Sequence, residues 1–138
     1  MKFQRPKTLT YQETIRFHGH DGPFLALGYK LGKYISNEQK PQGIMGVVIT
    51  VNVRSEKPFT CLIDGLQCST FATLGKGNIR IRAWKRPGIT VIVQVGKKKT
   101  VYQITEKAFS LCLAQKNLAV AARRVFKTTN KHLWILKK

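Results

Sequence analysis

The sequence predicts an α+β fold in which an antiparallel β-sheet is flanked by helices. Three observations support this prediction. Apolar residues recur at helical spacing early in the chain, segments rich in β-branched apolar residues occupy the middle, and helix-capping residues return near the end. Helical, strand and again helical segments in this order are typical of the α+β class.

The first helix is indicated by a capping signal. Thr10-Tyr11-Gln12-Glu13 has the form of a capping box, which predicts a short helix towards Phe17. Two glycines and a proline between residues 18 and 23 then interrupt it. Asp21 is expected to cap a second helix, with Pro23 in its first turn.

The second helix is predicted to have one apolar face. Gly28 and Gly32, four residues apart, would leave a flat patch on it where another backbone can approach closely. This patch is expected to pack against a sheet or a second subunit. The apolar stripe of this helix consists of Phe24, Leu27, Leu31 and Ile35.

The middle of the chain is predicted to supply the sheet. Residues 60–71 are compatible with a helix or a strand, and we favour the helix, while residues 73–78 form a loop with two glycines. Short turns separate the later strands, which favours a meander of antiparallel strands. The predicted strands are 44–54, 79–84, 89–95 and 100–104.

Two further helices are predicted near the end of the chain. Thr105 is expected to cap a helix to about Gln115, and Asn117 another to about Phe126. The segment from His132 to Lys138 is ambiguous.

The length and composition favour a single domain over residues 1–138. The chain has 138 residues and 43% apolar residues, which suffices for one hydrophobic core. No apolar run approaches the length of a membrane span, and the N-terminal residues resemble no signal peptide. We therefore expect a cytoplasmic protein without a membrane partner.

The net charge is unusual. Lysine and arginine number 25 against 6 acidic residues, which gives +19 at pH 7. Residues 79–138 alone hold 15 basic and 1 acidic side chain. Such a surplus favours anionic partners, namely nucleic acid, an acidic protein or polyphosphate. A solvated basic surface without a partner is the alternative explanation.

The pair His18-Gly19-His20 is a candidate metal site. Neutral imidazole nitrogens bind transition metals, and the intervening glycine lets the chain turn both rings towards one ion. Two neighbouring histidines on a turn are more often simply hydrogen-bonded.

A thiol and a carboxylate share one face of the predicted third helix. Cys61 and Asp64 are three residues apart, so both side chains could reach one pocket. A buried thiol beside a capping or ion-paired aspartate is the simpler interpretation.

The three cysteines, Cys61, Cys68 and Cys112, lack CxxC spacing, which fits neither a disulfide framework nor a self-contained zinc finger.

The loop Gly75-Lys76-Gly77-Asn78 could bind an anion. Its glycines could turn backbone amides inward while Lys76 adds a positive charge. It lacks the spacer and the Ser/Thr of a phosphate-binding P-loop, and an ordinary loop is the alternative.

Together, three motifs resemble the core domain of the FmdE family, which takes its name from formylmethanofuran dehydrogenase. They occur in the order of that family between residues 17 and 78. They are His18-Gly19-His20-x-x-Pro23 followed by Leu25-Ala26-Leu27-Gly28, then Cys61-x-x-Asp64-x-x-Gln67, then Thr73-x-Gly75-Lys76-Gly77-Asn78.

The resemblance implies both an architecture and a site. It implies an α+β core, a tightly intertwined homodimer and a His/Cys pocket that binds a metal, with zinc or another divalent transition metal as the expected cofactor. Some members add a C-terminal zinc-finger domain, which we do not expect here because no cysteines follow the core. The family name reflects an association with a molybdenum or tungsten enzyme and does not establish an activity for every member.

The chain departs from the family pattern at two cysteine positions. Gly22 stands where the family usually has a cysteine before the proline, and Ala72 stands where it has one before the Gly-Lys-Gly loop. Cys68 does not fall at the second of these positions, the one held by Ala72. The remaining metal ligands implied are His18, His20 and Cys61, with Asp64 as a further candidate, and three protein ligands with a water would form an open site.

A basic strand offers a competing function. Strand alternation places one arginine-rich set of side chains on a common face, which could grip phosphates and stack a base. A solvated face whose arginines cover the tryptophan is the alternative. The residues of this face are Arg80, Arg82, Trp84 and Arg86.

Two functional hypotheses follow. In the first, a homodimeric domain binds a metal whose open position faces a small anionic ligand held by residues 75–78. If this protein is an enzyme, the metal would act as a Lewis acid or activate water, Cys61 and Asp64 are the catalytic candidates, and Asp64 or a histidine would move protons. In the second, a non-catalytic module binds nucleic acid or an acidic protein through residues 80–86.

Overall fold

The computed structural model describes residues 5–137, which form one five-stranded sheet with helices on a single face. The helices are α1 Tyr11–His18, α2 Pro23–Gln39, α3 Cys61–Thr70, α4 Glu106–Leu113 and α5 Leu118–Lys127. The strands are β1 Val47–Val53, β2 Ile79–Ala83, β3 Thr90–Val95, β4 Lys98–Ile104 and β5 Trp134–Leu136.

The sheet has the strand order β2-β1-β3-β4-β5. β1 and β2 are parallel and the other neighbours are antiparallel, so the predicted α+β class is confirmed. The predicted antiparallel meander is wrong for β2, which pairs with β1 instead of β3. The helix α3 links β1 to β2 and returns the chain in the same direction, as parallel pairing requires.

The hydrophobic core lies between the helices and the inner face of the sheet. Alternate residues of β1, from Val47 to Val53, are fully buried, which matches the predicted strand face. The predicted apolar stripe of α2 is likewise buried, at Phe24, Leu27, Leu31 and Ile35.

The helices α2 and α3 are in close contact through glycines. A Cβ on Gly28 would lie 2.1 Å from the carbonyl oxygen of Leu62, and one on Gly65 would lie 2.3 Å from that of Leu25. A Cβ on Gly32 would lie 1.8 Å from Ser69 Oγ. The glycine patch of α2 therefore packs against α3 of the same chain, and its predicted packing against a sheet or a second subunit is wrong.

Local capping signals predicted most helix ends. Thr10 forms the expected capping box with Glu13, and Thr105 and Asn117 accept hydrogen bonds from the first turns of α4 and α5. Pro23 begins α2 as predicted. The ambiguous C-terminal segment forms a 3-10 turn at Asn130–His132 and then the edge strand β5.

The predicted cap at Asp21 is wrong. Gly22 occupies the N-cap position of α2 without a side-chain bond, whereas Asp21 accepts a hydrogen bond of 2.5 Å from the Tyr11 hydroxyl. This bond ties α1 to the bend between the two helices, and the bend carries both candidate histidines.

None of the helices described within residues 5–137 combines the length and the hydropathy needed to cross a bilayer.

Candidate metal centre

The bend after α1 brings the two candidate histidines together. Gly19 ends α1 with φ of 106°, a left-handed conformation that favours glycine, and its amide donates to Ile15. His18 is the last residue of α1 and His20 follows the turn. Their ring centroids are 4.6 Å apart.

The first residue of α3 adds a thiol to this pair. One ligand atom from each of His18, His20 and Cys61 lies within 4.8 Å of the other two. Ligand atoms around tetrahedral zinc are about 3.3–3.8 Å apart, given its bond lengths, so modest rotations would close the set on one ion. The structure thus brings together the three residues that the sequence singles out.

His18 is oriented by a carboxylate. Its Nδ1 donates to Asp64 Oδ2 at 2.6 Å, and its side chain is only 11% exposed. Because the carboxylate accepts this proton, Nε2 of the neutral ring carries the free lone pair. Nε2 is buried and has no partner within residues 5–137. A buried nitrogen without a partner, on a ring held by a carboxylate, is the arrangement expected of a metal-ligating histidine.

Gln67 extends this orienting network. Its Nε2 donates to Asp64 Oδ1 at 3.1 Å, and its Oε1 accepts from the backbone amide of Leu74 at 2.9 Å. Both oxygens of Asp64 are therefore engaged, one by His18 and one by Gln67. The sequence shows Gln67 only as part of a motif, and its three-residue spacing from Asp64 on α3 is the signal for this role.

His20 is the exposed member of the set. Its Nδ1 donates to the Asp21 carbonyl at 2.8 Å, which leaves Nε2 of the neutral ring free to bind. A Cβ placed on Gly22 would lie 3.6 Å from this ring, an ordinary contact distance. Gly22 therefore borders the site.

Cys61 is half-buried at the start of α3. Burial raises the pKa of its thiol and the nearby Asp64 raises it further, while Lys57 acts in the opposite direction. The thiol is thus expected to be protonated when no cation is bound, and a metal ion would displace its proton.

A small cavity of about 150 Å³ adjoins the site. Cys112, which is 3% exposed, forms part of its wall, and burial raises the pKa of this thiol to about 12. The sequence gives Cys112 no role beyond its lack of CxxC spacing, since its approach to the cavity depends on how α4 packs. The lining residues are His20, Gly22, Pro23, Phe24, Leu25, Pro58, Cys61, Cys112, Leu113, Gln115 and Leu118.

The loop of residues 75–78 connects α3 to the sheet. The Lys76 ammonium donates to the Phe71 carbonyl at the end of α3 and to Thr73 Oγ1. Asn78 is buried and bonds the backbone of Ile44, Val47 and Thr73. Phe71 lies ten residues beyond Cys61, about 15 Å along the helix, so Lys76 is far from the thiol. An anion-binding role for Gly75, Lys76, Gly77 and Asn78 stays a prediction.

The two cysteine positions of the family that this chain lacks have different surroundings. Gly22 lies beside His20, whereas Ala72 is fully buried in the main core and does not line the cavity. Cys68 is buried on α3.

The predicted basic residues lie on the opposite face of the sheet. Arg80 and Arg82 pair with Thr50 and Asn52 on β1, whose side chains point away from the core. Trp84 and Arg86 line a depression that also includes Asn52. The four residues thus follow one face, as predicted.

Fold and site together define a small α+β domain with a candidate transition-metal centre. The chain belongs to the FmdE family, because the model of the family described as "FmdE, Molybdenum formylmethanofuran dehydrogenase operon" matches residues 17–133. The resemblance seen in the three motifs is therefore confirmed over nearly the whole chain. No curated protein matches it significantly.

Proposed function

We propose that this FmdE-family domain binds a divalent transition metal through His18, His20 and Cys61. The buried, unpartnered Nε2 of His18, beside a thiol and a second imidazole, carries this proposal. In this arrangement Asp64 holds the His18 ring and Gln67 holds Asp64.

The donor set favours zinc. Two imidazoles and one thiolate suit zinc better than magnesium or calcium, which prefer oxygen ligands. A zinc ion bound by three protein ligands supplies a Lewis-acid centre with a further position for water or a small ligand.

The small ligand of this proposal is an anion. The net charge of +19 would attract anions to the protein. However, none of the lysines and arginines in the described part of the chain, residues 5–137, lines the cavity beside the site. Bonding to the metal would therefore hold the anion, and Cys61, Pro58 and Leu113 would surround its remaining atoms. The homodimer implied by the family is part of the proposal and rests on family membership alone.

Cobalt(II) titration tests the ligand set. We expect the metal-free protein to bind one equivalent with the thiolate-to-cobalt charge-transfer absorption of a sulfur ligand. Cys61→Ala should abolish this absorption. Cys112→Ala, which removes a thiol from the same cavity, should retain it. Binding without that absorption in the original protein, or its loss only in Cys112→Ala, would contradict the assignment of Cys61.

Gln67→Leu tests the orienting network. The variant keeps the side-chain volume but removes the hydrogen bonds to Asp64 and Leu74, which frees the carboxylate that holds His18. We expect zinc affinity to fall about tenfold, as is typical for residues that support a metal ligand. Competition with a chelating dye measures this change. Gln39→Leu removes bonds to Thr100 and Tyr102 on β4, and it should leave zinc affinity unchanged; equal losses in both variants would refute the network.

A further inference from the structure

The outer face of the sheet, opposite the helices, has no covering element in residues 5–137. Most of its side chains are only partly shielded, and Val48 is 39% exposed, whereas Thr90 is buried. Two adjoining depressions of about 350 and 480 Å³ share Ile92 and extend across four strands. By strand register this outer sheet face comprises Val48, Thr50, Asn52, Arg80, Arg82, Thr90, Ile92, Gln94, Lys99, Val101, Gln103 and Ile135, and Trp84, Arg86 and Lys137 adjoin it.

The outer sheet face is positively charged and has no acidic residue to balance it. Arg80, Arg82 and Lys99 line one depression, and Arg86 and Lys137 line the other. None of these five side chains forms an ion pair within residues 5–137. None of the five strands contains an aspartate or glutamate. The uncompensated cations are therefore available to an external polyanion.

A fixed aromatic ring lies among these cations. Trp84 Nε1 donates to the Gly88 carbonyl at 3.1 Å, which restrains the half-exposed indole. The Arg86 guanidinium lies 5.9 Å from the ring centroid. Uncharged hydrogen-bonding side chains from neighbouring strands, such as Asn52 and Gln103, share this depression. An aromatic ring and arginines along a groove are the groups that bind the bases and phosphates of single strands.

We infer that the outer sheet face binds single-stranded nucleic acid, with its arginines and lysines on phosphates and a base on Trp84. A second copy of this chain is a poor occupant, because two such faces would repel each other. An acidic protein would satisfy the cations but would not require a restrained indole beside polar amides. Strands of five to seven residues, about 20 Å, are long enough to contact several nucleotides.

Fluorescence anisotropy with a labelled thymidine oligomer of about 15 nucleotides tests this inference. We expect binding at low salt, with log K falling linearly against log salt concentration. Arg80→Gln with Arg82→Gln should weaken binding and reduce the steepness of this dependence by about 1.4, since two phosphate contacts are lost. Trp84→Leu should weaken binding about tenfold without changing the salt dependence.

A control double variant on the helical side distinguishes binding at the outer sheet face from a general effect of net charge. Arg123→Gln with Lys127→Gln removes two exposed positive charges from α5, which packs on α2. This pair should change affinity less than threefold, since its charges are not on the sheet.

Three results would overturn the inference. They are absence of binding at low salt, equal losses in the two double variants, and unchanged affinity in Trp84→Leu. A glutamate oligomer of matched charge that binds as tightly, with the same loss in Trp84→Leu, would identify the face as an acidic-protein site instead. The metal ligands lie on the helical side, so none of these outcomes depends on the metal proposal.

Discussion

His18→Ala is expected to lower zinc affinity by about a thousandfold, more than the 10- to 100-fold typical of residues that only support a ligand. His18 is the most enclosed nitrogen donor of the candidate site, and its ring is the one that Asp64 holds. Its loss would leave one exposed imidazole and one thiol. Such a pair cannot complete a three-ligand site.

Thermal unfolding with and without zinc measures this loss. Zinc at a hundred times its dissociation constant should stabilise the original protein by about 2.7 kcal/mol, and His18→Ala should remove this stabilisation. The metal-free variant should itself lose some stability, because the substitution removes a largely buried ring and its hydrogen bond to Asp64, so the response to zinc is measured within each variant against its own metal-free form. His132→Ala, at an exposed histidine, should retain the full response to zinc. An undiminished response in His18→Ala would rule out the proposed ligand set.

Local signals in the sequence predicted the helix ends, whereas strand pairing depended on distant contacts. The ends of α1, α4 and α5 were predictable because Thr10, Thr105 and Asn117 act on amides within three residues. The pairing of β2 was not, because a parallel partner is reached through α3 and depends on how that helix packs. Asp21 had the residue type of a cap, but a competing hydrogen bond from Tyr11 gave it another role.

The candidate site, too, was predictable from the sequence only where local signals sufficed. Motif spacing and family resemblance identified His18, His20 and Cys61. The contact between His18 and Asp64 spans 46 residues, so neither spacing nor periodicity could reveal it. Likewise, Cys112 reaches the wall of the cavity beside the site only because of how α4 packs. Residue types therefore indicate donors, whereas the groups that orient and enclose them follow from tertiary contacts.

The protein thus presents two chemically different surfaces. The candidate metal centre lies where α1, α2 and α3 meet, and within residues 5–137 no lysine or arginine lines its mainly apolar cavity. The uncompensated cations of Arg80, Arg82 and Lys99 lie across the sheet. The two proposals therefore assign different ligands to the two surfaces.

The position of Cys61 and Asp64 depends on how closely α3 approaches α2. This approach requires glycine where the helices touch, because a Cβ on Gly28 would lie 2.1 Å from the Leu62 carbonyl oxygen. Leu62 directly follows Cys61. Any displacement of α3 that relieved the clash would therefore also move the thiol relative to His18.

Gly28→Ala is accordingly expected to destabilise the fold by about 3 kcal/mol, at the upper end of overpacking costs, since the obstructing atom is backbone and both helices must separate. Urea unfolding followed by circular dichroism measures the change. Gly75→Ala is the matched control, because a Cβ there meets no atom of residues 5–137 within 4 Å, and it should stay within about 0.5 kcal/mol of the original. Equal stabilities of the two variants would show that the helices can separate at little cost. The contact would then not be what places Cys61 beside the two histidines.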